Sequence, residues 1–93
     1  MIKIVKLTKK VEKQIKQLPE HIVTKFHYWV HTVATFGLEE ARKIKSFHDE
    51  PLKGKLSGLR SIRLSNSYRA YYIIDAEGAT LFVLVERIDK HGY

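Results

Sequence analysis

The stretch from Glu50 to Tyr72 holds the residues of this sequence that are best suited to chemistry. Residues 51–72 contain no acid and five cations, which are Lys53, Lys55, Arg60, Arg63 and Arg69. A surface that serves only solubility mixes both signs of charge. A surface of one sign fits a polyanion, and phosphate is the commonest polyanion in cells. The stretch therefore predicts a phosphate-binding surface.

The same stretch and the end of the chain together contain the groups that cleave RNA. Cleavage needs a base to remove the 2′-OH proton, cations to stabilise the charged phosphate, and an acid to protonate the leaving 5′-oxygen. Glu50 is the candidate base and His91 the candidate acid. Arg63 and Arg69 are the candidates for holding the phosphate.

Each of these residues also has a simpler explanation. Glu50 fits a solvated loop carboxylate, His91 fits a frayed terminus, and the two arginines fit solubilising surface charges. Tyr93 or Tyr71 is suited to stacking on a nucleobase. The functional interpretation is favoured because the arginines lie mid-strand, where Thr or Val stabilises a sheet better.

Composition limits the class of protein. The chain has 93 residues, which predicts one domain spanning residues 1–93, and its net charge of +7 favours an acidic partner. There is no cysteine, which excludes disulfides and thiolate metal sites. No apolar run has the length of a signal peptide core or a membrane span, so we expect a cytoplasmic protein with no membrane partner.

The N-terminal part of the chain predicts a strand followed by a helix. Residues 2–7 alternate in a strand-like way, and Thr8 is placed to cap a helix that buries Val11, Ile15 and Leu18. Six lysines fall within the first sixteen residues. A solvated helix face explains them, whereas a surface shared with the second basic stretch would make three of them RNA-binding candidates: Lys9, Lys10 and Lys13.

A longer, more apolar helix is predicted from Pro19 to a stop at Gly37. His27 and His31 lie four residues apart on it, a spacing that can hold a metal. No third ligand follows at a matching spacing, so we expect ordinary surface histidines and neither a metal nor a cofactor. Residues 38–44 predict one or two further helical turns, and residues 46–51 predict a loop.

The last third of the chain predicts strands at residues 59–64, 68–75 and 80–88, joined by short turns. The expected fold is α+β, in the order β-α-α-β-β-β. It has a small, mostly antiparallel four-stranded sheet with two helices on one face. Strand alternation places Arg63 and Arg69 on the open face.

The chain resembles the RelE/ParE superfamily of bacterial toxins, and within it the RelE- and YoeB-like mRNA interferases. The resemblance lies in the block E-P-L-K-G-K-L-S-G-L-R-S-I-R-L-S-N-S-Y-R-A-Y-Y and in the ending V-E-R-I-D-K-H-G-Y. It implies a toxin that cleaves mRNA in the ribosomal A site and is blocked by a cognate antitoxin. The toxin would be a monomer alone and a hetero-oligomer with the antitoxin.

By position, the resemblance gives catalytic roles to Glu50, Arg69 and His91, as base, phosphate ligand and acid. Lys53, Arg63 and Tyr93 match supporting residues, and the lysine-rich first helix would contact ribosomal RNA. Gly92 departs from the family pattern, which has an acidic or aromatic residue between the histidine and the end.

Three alternatives stay open. ParE-like toxins share the fold and poison DNA gyrase, although they usually lack the acid and base that Glu50 and His91 would supply. A non-catalytic RNA-binding module would use the same basic face and bind with a steep salt dependence. A degenerate toxin would keep only its antitoxin-binding surface.

Overall fold

The structure, a computed structural model, describes residues 1–90, and it contains five strands, three α-helices and two 3₁₀ helices. The α-helices are α1 (Lys9–Ile15), α2 (Glu20–Phe36) and α3 (Leu38–Arg42), and the 3₁₀ helices span Lys45–Phe47 and Gly54–Leu56. The strands are β1 (Val5–Leu7), β2 (Glu50–Pro51), β3 (Arg60–Arg63), β4 (Tyr68–Glu77) and β5 (Thr80–Lys90).

The five strands form one sheet in the order β1-β5-β4-β3-β2. β1 runs parallel to β5, and the other neighbours are antiparallel. The predicted α+β fold, with its meander and helical crossover, is therefore confirmed. The prediction of four strands is wrong, because Glu50–Pro51 pairs with β3 inside the predicted loop. A two-residue edge strand that ends in proline is too short to show an alternating pattern.

The first strand and first helix meet at Thr8, which caps α1 as predicted. Its side chain accepts a hydrogen bond of 3.2 Å from the backbone N–H of Val11. β1 is shorter than predicted, because Ile2 and Ile4 use their carbonyls to bind Leu38 and Val83 outside a regular ladder. Gly37 ends α2 at φ 93°, and a Cβ there would lie 2.7 Å from the Met1 side chain, so only glycine fits.

The hydrophobic core lies between the sheet and α2. Ile22, Phe26, Trp29 and Val33 on one stripe of this helix are fully buried, and the Trp29 and Tyr72 rings are 5.3 Å apart. Each large apolar side chain buried here contributes about 1.5–3 kcal/mol. Within residues 1–90, no helix is both long and apolar enough to cross a membrane. The helices thus cover one face of the sheet and leave the other face open.

Candidate functional site

The open face of the sheet carries two rows of side chains that run across its strands. In the first row Glu50 pairs with Ser61, Ser61 with Tyr71, and Tyr71 with Arg87, so that the row crosses β2, β3, β4 and β5. In the second row Arg63 pairs with Arg69, and Arg69 pairs with Asp89. The expectation that Arg63 and Arg69 share this face on adjacent strands is therefore met by the register.

A shallow cleft of about 310 Å³ lies over these rows, and its walls include Glu50, Ser61, Arg69 and Tyr71. Leu52 and Leu56 complete the lining. Glu50 Oε1 lies 3.7 Å from Arg69 Nη1, and the two side chains are 45% and 15% exposed. A distance of 3.7 Å is an ion pair but is too long for a hydrogen bond. The cleft thus holds a solvent-accessible carboxylate beside a largely buried guanidinium.

Three donors on this face have no hydrogen-bond partner among residues 1–90, although each is buried. They are Ser61 Oγ, Arg69 Nη1 and Arg87 Nε. Asp89 Oδ2 lies only 3.0 Å from Arg87 Nε, but the pair is not aligned as a hydrogen bond. A buried donor without a partner costs about 1–3 kcal/mol. Such groups are rare in folded proteins and are typical of a surface that binds a ligand.

Arg87 is a residue of this site that sequence reasoning missed. Its guanidinium carbon lies 4.9 Å from the centre of the Tyr71 ring, and Tyr71 is only 9% exposed. A signal was available, because Val85 and Ile88 are both buried although they are three residues apart. Strict alternation forbids that spacing, so the strand has to contain an irregularity that changes where Arg87 points.

His48 is a second missed residue. It adopts the left-handed conformation at φ 45° and ψ 53°, directly after the first 3₁₀ helix. Its Nε2 lies 3.4 Å from Glu50 Oε2, on the side of the carboxylate away from Arg69. No sequence pattern gives this contact, because it depends on the backbone conformation of a short connection.

Asp49 belongs to the structure of the site rather than to its surface. Its carboxylate is fully buried and accepts hydrogen bonds from Arg60 Nε at 2.7 Å and from Tyr72 Oη at 2.6 Å. Burial raises the pKa of Tyr72 above its ordinary value, and the hydrogen bond to Asp49 raises it further. Arg60 pairs with the core residue Tyr72 across the sheet, so it lies on the helix side and is not brought together with the cleft.

The predicted lysines lie outside the cleft. Lys53 and Lys55 are exposed in the connection between β2 and β3. The expectation that this segment is extended is wrong at Gly54–Leu56, which forms a 3₁₀ helix. On α1, the three predicted lysines are also exposed; they are Lys9, Lys10 and Lys13. These cations therefore extend the charged surface around the cleft without contributing to its floor.

Two of the predicted catalytic residues, His91 and Tyr93, lie outside the described residues. β5 ends at Lys90, the last described residue. His27 and His31 are exposed on α2. No group of three or more potential metal ligands is found within residues 1–90.

Comparison with solved structures gives the fold class. The chain resembles the YoeB/ParE toxin from Agrobacterium tumefaciens, with a TM-score of 0.72, 17% identity, and coverage of 96% of this chain and 99% of that one. The archaeal RelE–RelB complex from Pyrococcus horikoshii gives a TM-score of 0.70, 22% identity, and coverage of 99% and 98%. The toxin–antitoxin complex RelBE2 from Mycobacterium tuberculosis gives a TM-score of 0.63, 26% identity, and coverage of 97% and 99%.

These similarities define the chain as a toxin of the RelE/ParE/YoeB fold. The profile described as "ParE toxin of type II toxin-antitoxin system, parDE" matches residues 5–91. The chain therefore belongs to the ParE toxin family of type II toxin–antitoxin systems. Among curated protein sequences, none matches it significantly. The resemblance to the RelE/ParE superfamily noted from the sequence is confirmed.

Proposed function

We propose that this toxin is a ribosome-dependent endoribonuclease that cleaves mRNA in the A site and thereby inhibits translation. The observation that carries the proposal is the row in which Glu50, Ser61, Tyr71 and Arg87 cross the sheet beside Arg69. This row places a carboxylate next to buried, unpartnered cationic donors. That is the arrangement needed to hold a phosphodiester and deprotonate the sugar beside it.

In the proposed reaction, Glu50 removes the proton from the 2′-OH, and the resulting oxygen attacks the adjacent phosphorus. The P–O5′ bond breaks, leaving a 2′,3′-cyclic phosphate and a 5′-hydroxyl. Arg69 and Arg87 stabilise the negative charge that develops on the phosphate, and Ser61 supplies a further donor. His91 is the proposed acid that gives a proton to the leaving 5′-oxygen.

The surrounding residues would bind the rest of the substrate. Arg63 lies beside Arg69 and extends the cationic surface along the open face, and the exposed Lys53 and Lys55 border it in sequence. Tyr93 is the proposed stacking residue, because the ring of Tyr71 is almost fully buried under Arg87. The α1 lysines would contact ribosomal RNA, whose phosphates attract clustered cations.

A cognate antitoxin is the proposed inhibitor of this activity. Solved relatives with the same fold include toxin–antitoxin complexes. A net charge of +7 favours an acidic partner. We infer that the toxin is a cytoplasmic monomer by itself and a hetero-oligomer when the antitoxin is bound.

Inhibition of DNA gyrase is the second candidate function, and the match to the ParE family profile favours it. Two assays of the same purified toxin separate the candidates. In a cell-free translation system, the first candidate predicts mRNA fragments that appear only when ribosomes are present. In a gyrase supercoiling assay, it predicts no effect at the same toxin concentration. Inhibited gyrase with intact mRNA would overturn the proposal.

A further inference from the structure

β5 contains a bulge immediately before Arg87. Tyr71 pairs with Arg87, but the next residue of β4, Tyr72, pairs with Val85, so Glu86 has no partner on β4. With an unbroken register, Tyr71 would face Glu86, and an acid would stand at the end of the row that begins at Glu50. The bulge removes that acid from the row and puts a cation there. An extra residue in one strand re-aims the side chains that follow it.

The outer edge of β5 changes its partner at the same point. β1 pairs with β5 only as far as Leu7, which lies opposite Val85. Beyond that residue, β1 has ended and α1 has begun. A strand edge without a neighbour leaves backbone N–H and C=O groups that need other partners. Those partners come from α1 and its cap.

Two side chains of this segment bind the backbone on either side of Arg87. Thr8 Oγ1 donates to the carbonyl of Glu86 at 3.2 Å. Gln14 Oε1 accepts from the N–H of Ile88 at 2.8 Å. Thr8 is fixed in turn as the cap of α1. The residues before and after Arg87 are therefore both attached to α1.

We propose that Gln14 and Thr8 are positioning residues that hold the bulge of β5, and through it Arg87, in the geometry that the cleft requires. This inference rests on the proposed function for its catalytic consequence, because it assumes that Arg87 binds the scissile phosphate. It does not rest on that function for the contact itself. The segment that positions Arg87 is also the lysine-rich one, so α1 links the outer charged surface to the floor of the cleft.

The contact is tested in the free toxin by amide hydrogen exchange. Gln14→Leu removes the acceptor, whereas Gln14→Glu keeps a carboxyl oxygen that can accept from Ile88. Gln17→Leu is the matched control, because Gln17 is exposed on the turn after α1. Exchange of the Ile88 amide should be about fivefold faster in Gln14→Leu and close to wild type in the other two.

The amide of Val83, which binds the carbonyl of Ile4 at 2.8 Å, is the internal reference on the same strand. Its exchange should not change in Gln14→Leu. An unchanged Ile88 amide would overturn the contact. Equal acceleration at Val83 and Ile88 would overturn local positioning, because the substitution would then have loosened the whole strand.

The catalytic consequence is tested by single-turnover cleavage of ribosome-bound mRNA. Gln14→Leu should lower the maximal rate about tenfold with little change in the half-saturating concentration, because a misplaced phosphate ligand acts mainly on the transition state. Gln14→Glu should restore most of the rate. Faster exchange at Ile88 with an unchanged rate would overturn the positioning role. If wild type itself cleaves nothing, the proposed function fails, and the exchange experiment still decides the contact.

Discussion

Arg63 and Arg69 lie directly opposite each other on β3 and β4. Two like charges in this cross-strand relationship destabilise a sheet. Arg69 is also largely buried, with 15% of its side chain exposed. The nearby carboxylates of Glu50 and Asp89 offset only part of this repulsion, since Nη1 of Arg69 has no hydrogen-bond partner among residues 1–90. A local arrangement that opposes stability is expected where a surface is built for a ligand.

Replacing Arg69 should therefore separate function from stability. In Arg69→Gln, the free energy of unfolding should change by less than about 1 kcal/mol, because the loss of the ion pair is offset by relief of the repulsion. Cleavage of mRNA should fall by about 10²–10³-fold, as for the loss of one donor to a developing oxyanion. Arg63→Gln is the matched control and should lower cleavage less. A large loss of stability in denaturant titrations of Arg69→Gln would show that the residue is structural.

Ser61→Ala should stabilise the protein while weakening its activity. The hydroxyl is completely buried and has no partner within the described residues. Its removal should raise the free energy of unfolding by about 0.5–1 kcal/mol, since an unmade hydrogen bond is lost at no cost. Cleavage should fall about tenfold if the hydroxyl binds the phosphate. A decrease in stability of more than about 1 kcal/mol would contradict this account of Ser61.

Tyr72 gives the stability of the fold a dependence on pH. Because its pKa is raised in the folded state, its contribution is fully present below the ordinary tyrosine pKa of about 10 and is lost as the pH rises from there through the folded value. Tyr72→Phe should lower the free energy of unfolding at pH 8 by about 1–2 kcal/mol. The difference from wild type should shrink above pH 10. Urea titrations at the two pH values check this, and a constant difference would contradict it.

Removing the α1 lysines should weaken ribosome binding without changing the chemistry. In the triple variant Lys9→Gln, Lys10→Gln and Lys13→Gln, the slope of log affinity against log salt should decrease by about 2–3. The maximal cleavage rate should stay within about twofold, because neutral side chains at this exposed surface leave the cleft intact. Lys43→Gln is a control, since Lys43 is already paired with Glu40 at 2.7 Å. An unchanged slope would exclude α1 from the interface.

Much of the fold was predictable because its signals are local. Thr8 as a cap, Gly37 as a stop and the stripe of Ile22, Phe26 and Trp29 on α2 follow from side-chain spacing alone. Alternation along β3 and β4 also placed Arg63 and Arg69 on one face. These patterns depend on helix and strand periodicity, which the sequence displays directly.

The remaining features depend on pairing between distant segments. β2 consists of two residues and is recognised only by its partner β3. Arg87 reaches the cleft because a bulge shifts the register of β5, and Arg60 is removed from it because Asp49 binds it at 2.7 Å on the helix side. Side-chain alternation predicts neither event, since both are decided by contacts across the sheet.

The most direct test of the proposed ribonuclease is to map mRNA 5′ ends by primer extension in a cell-free translation system. Wild type, Arg69→Ala and His91→Ala would be compared, with and without ribosomes. The account predicts new ends at codon positions that require ribosomes and are lost or greatly reduced in both variants. Intact mRNA in the presence of folded wild-type toxin would contradict the central claim.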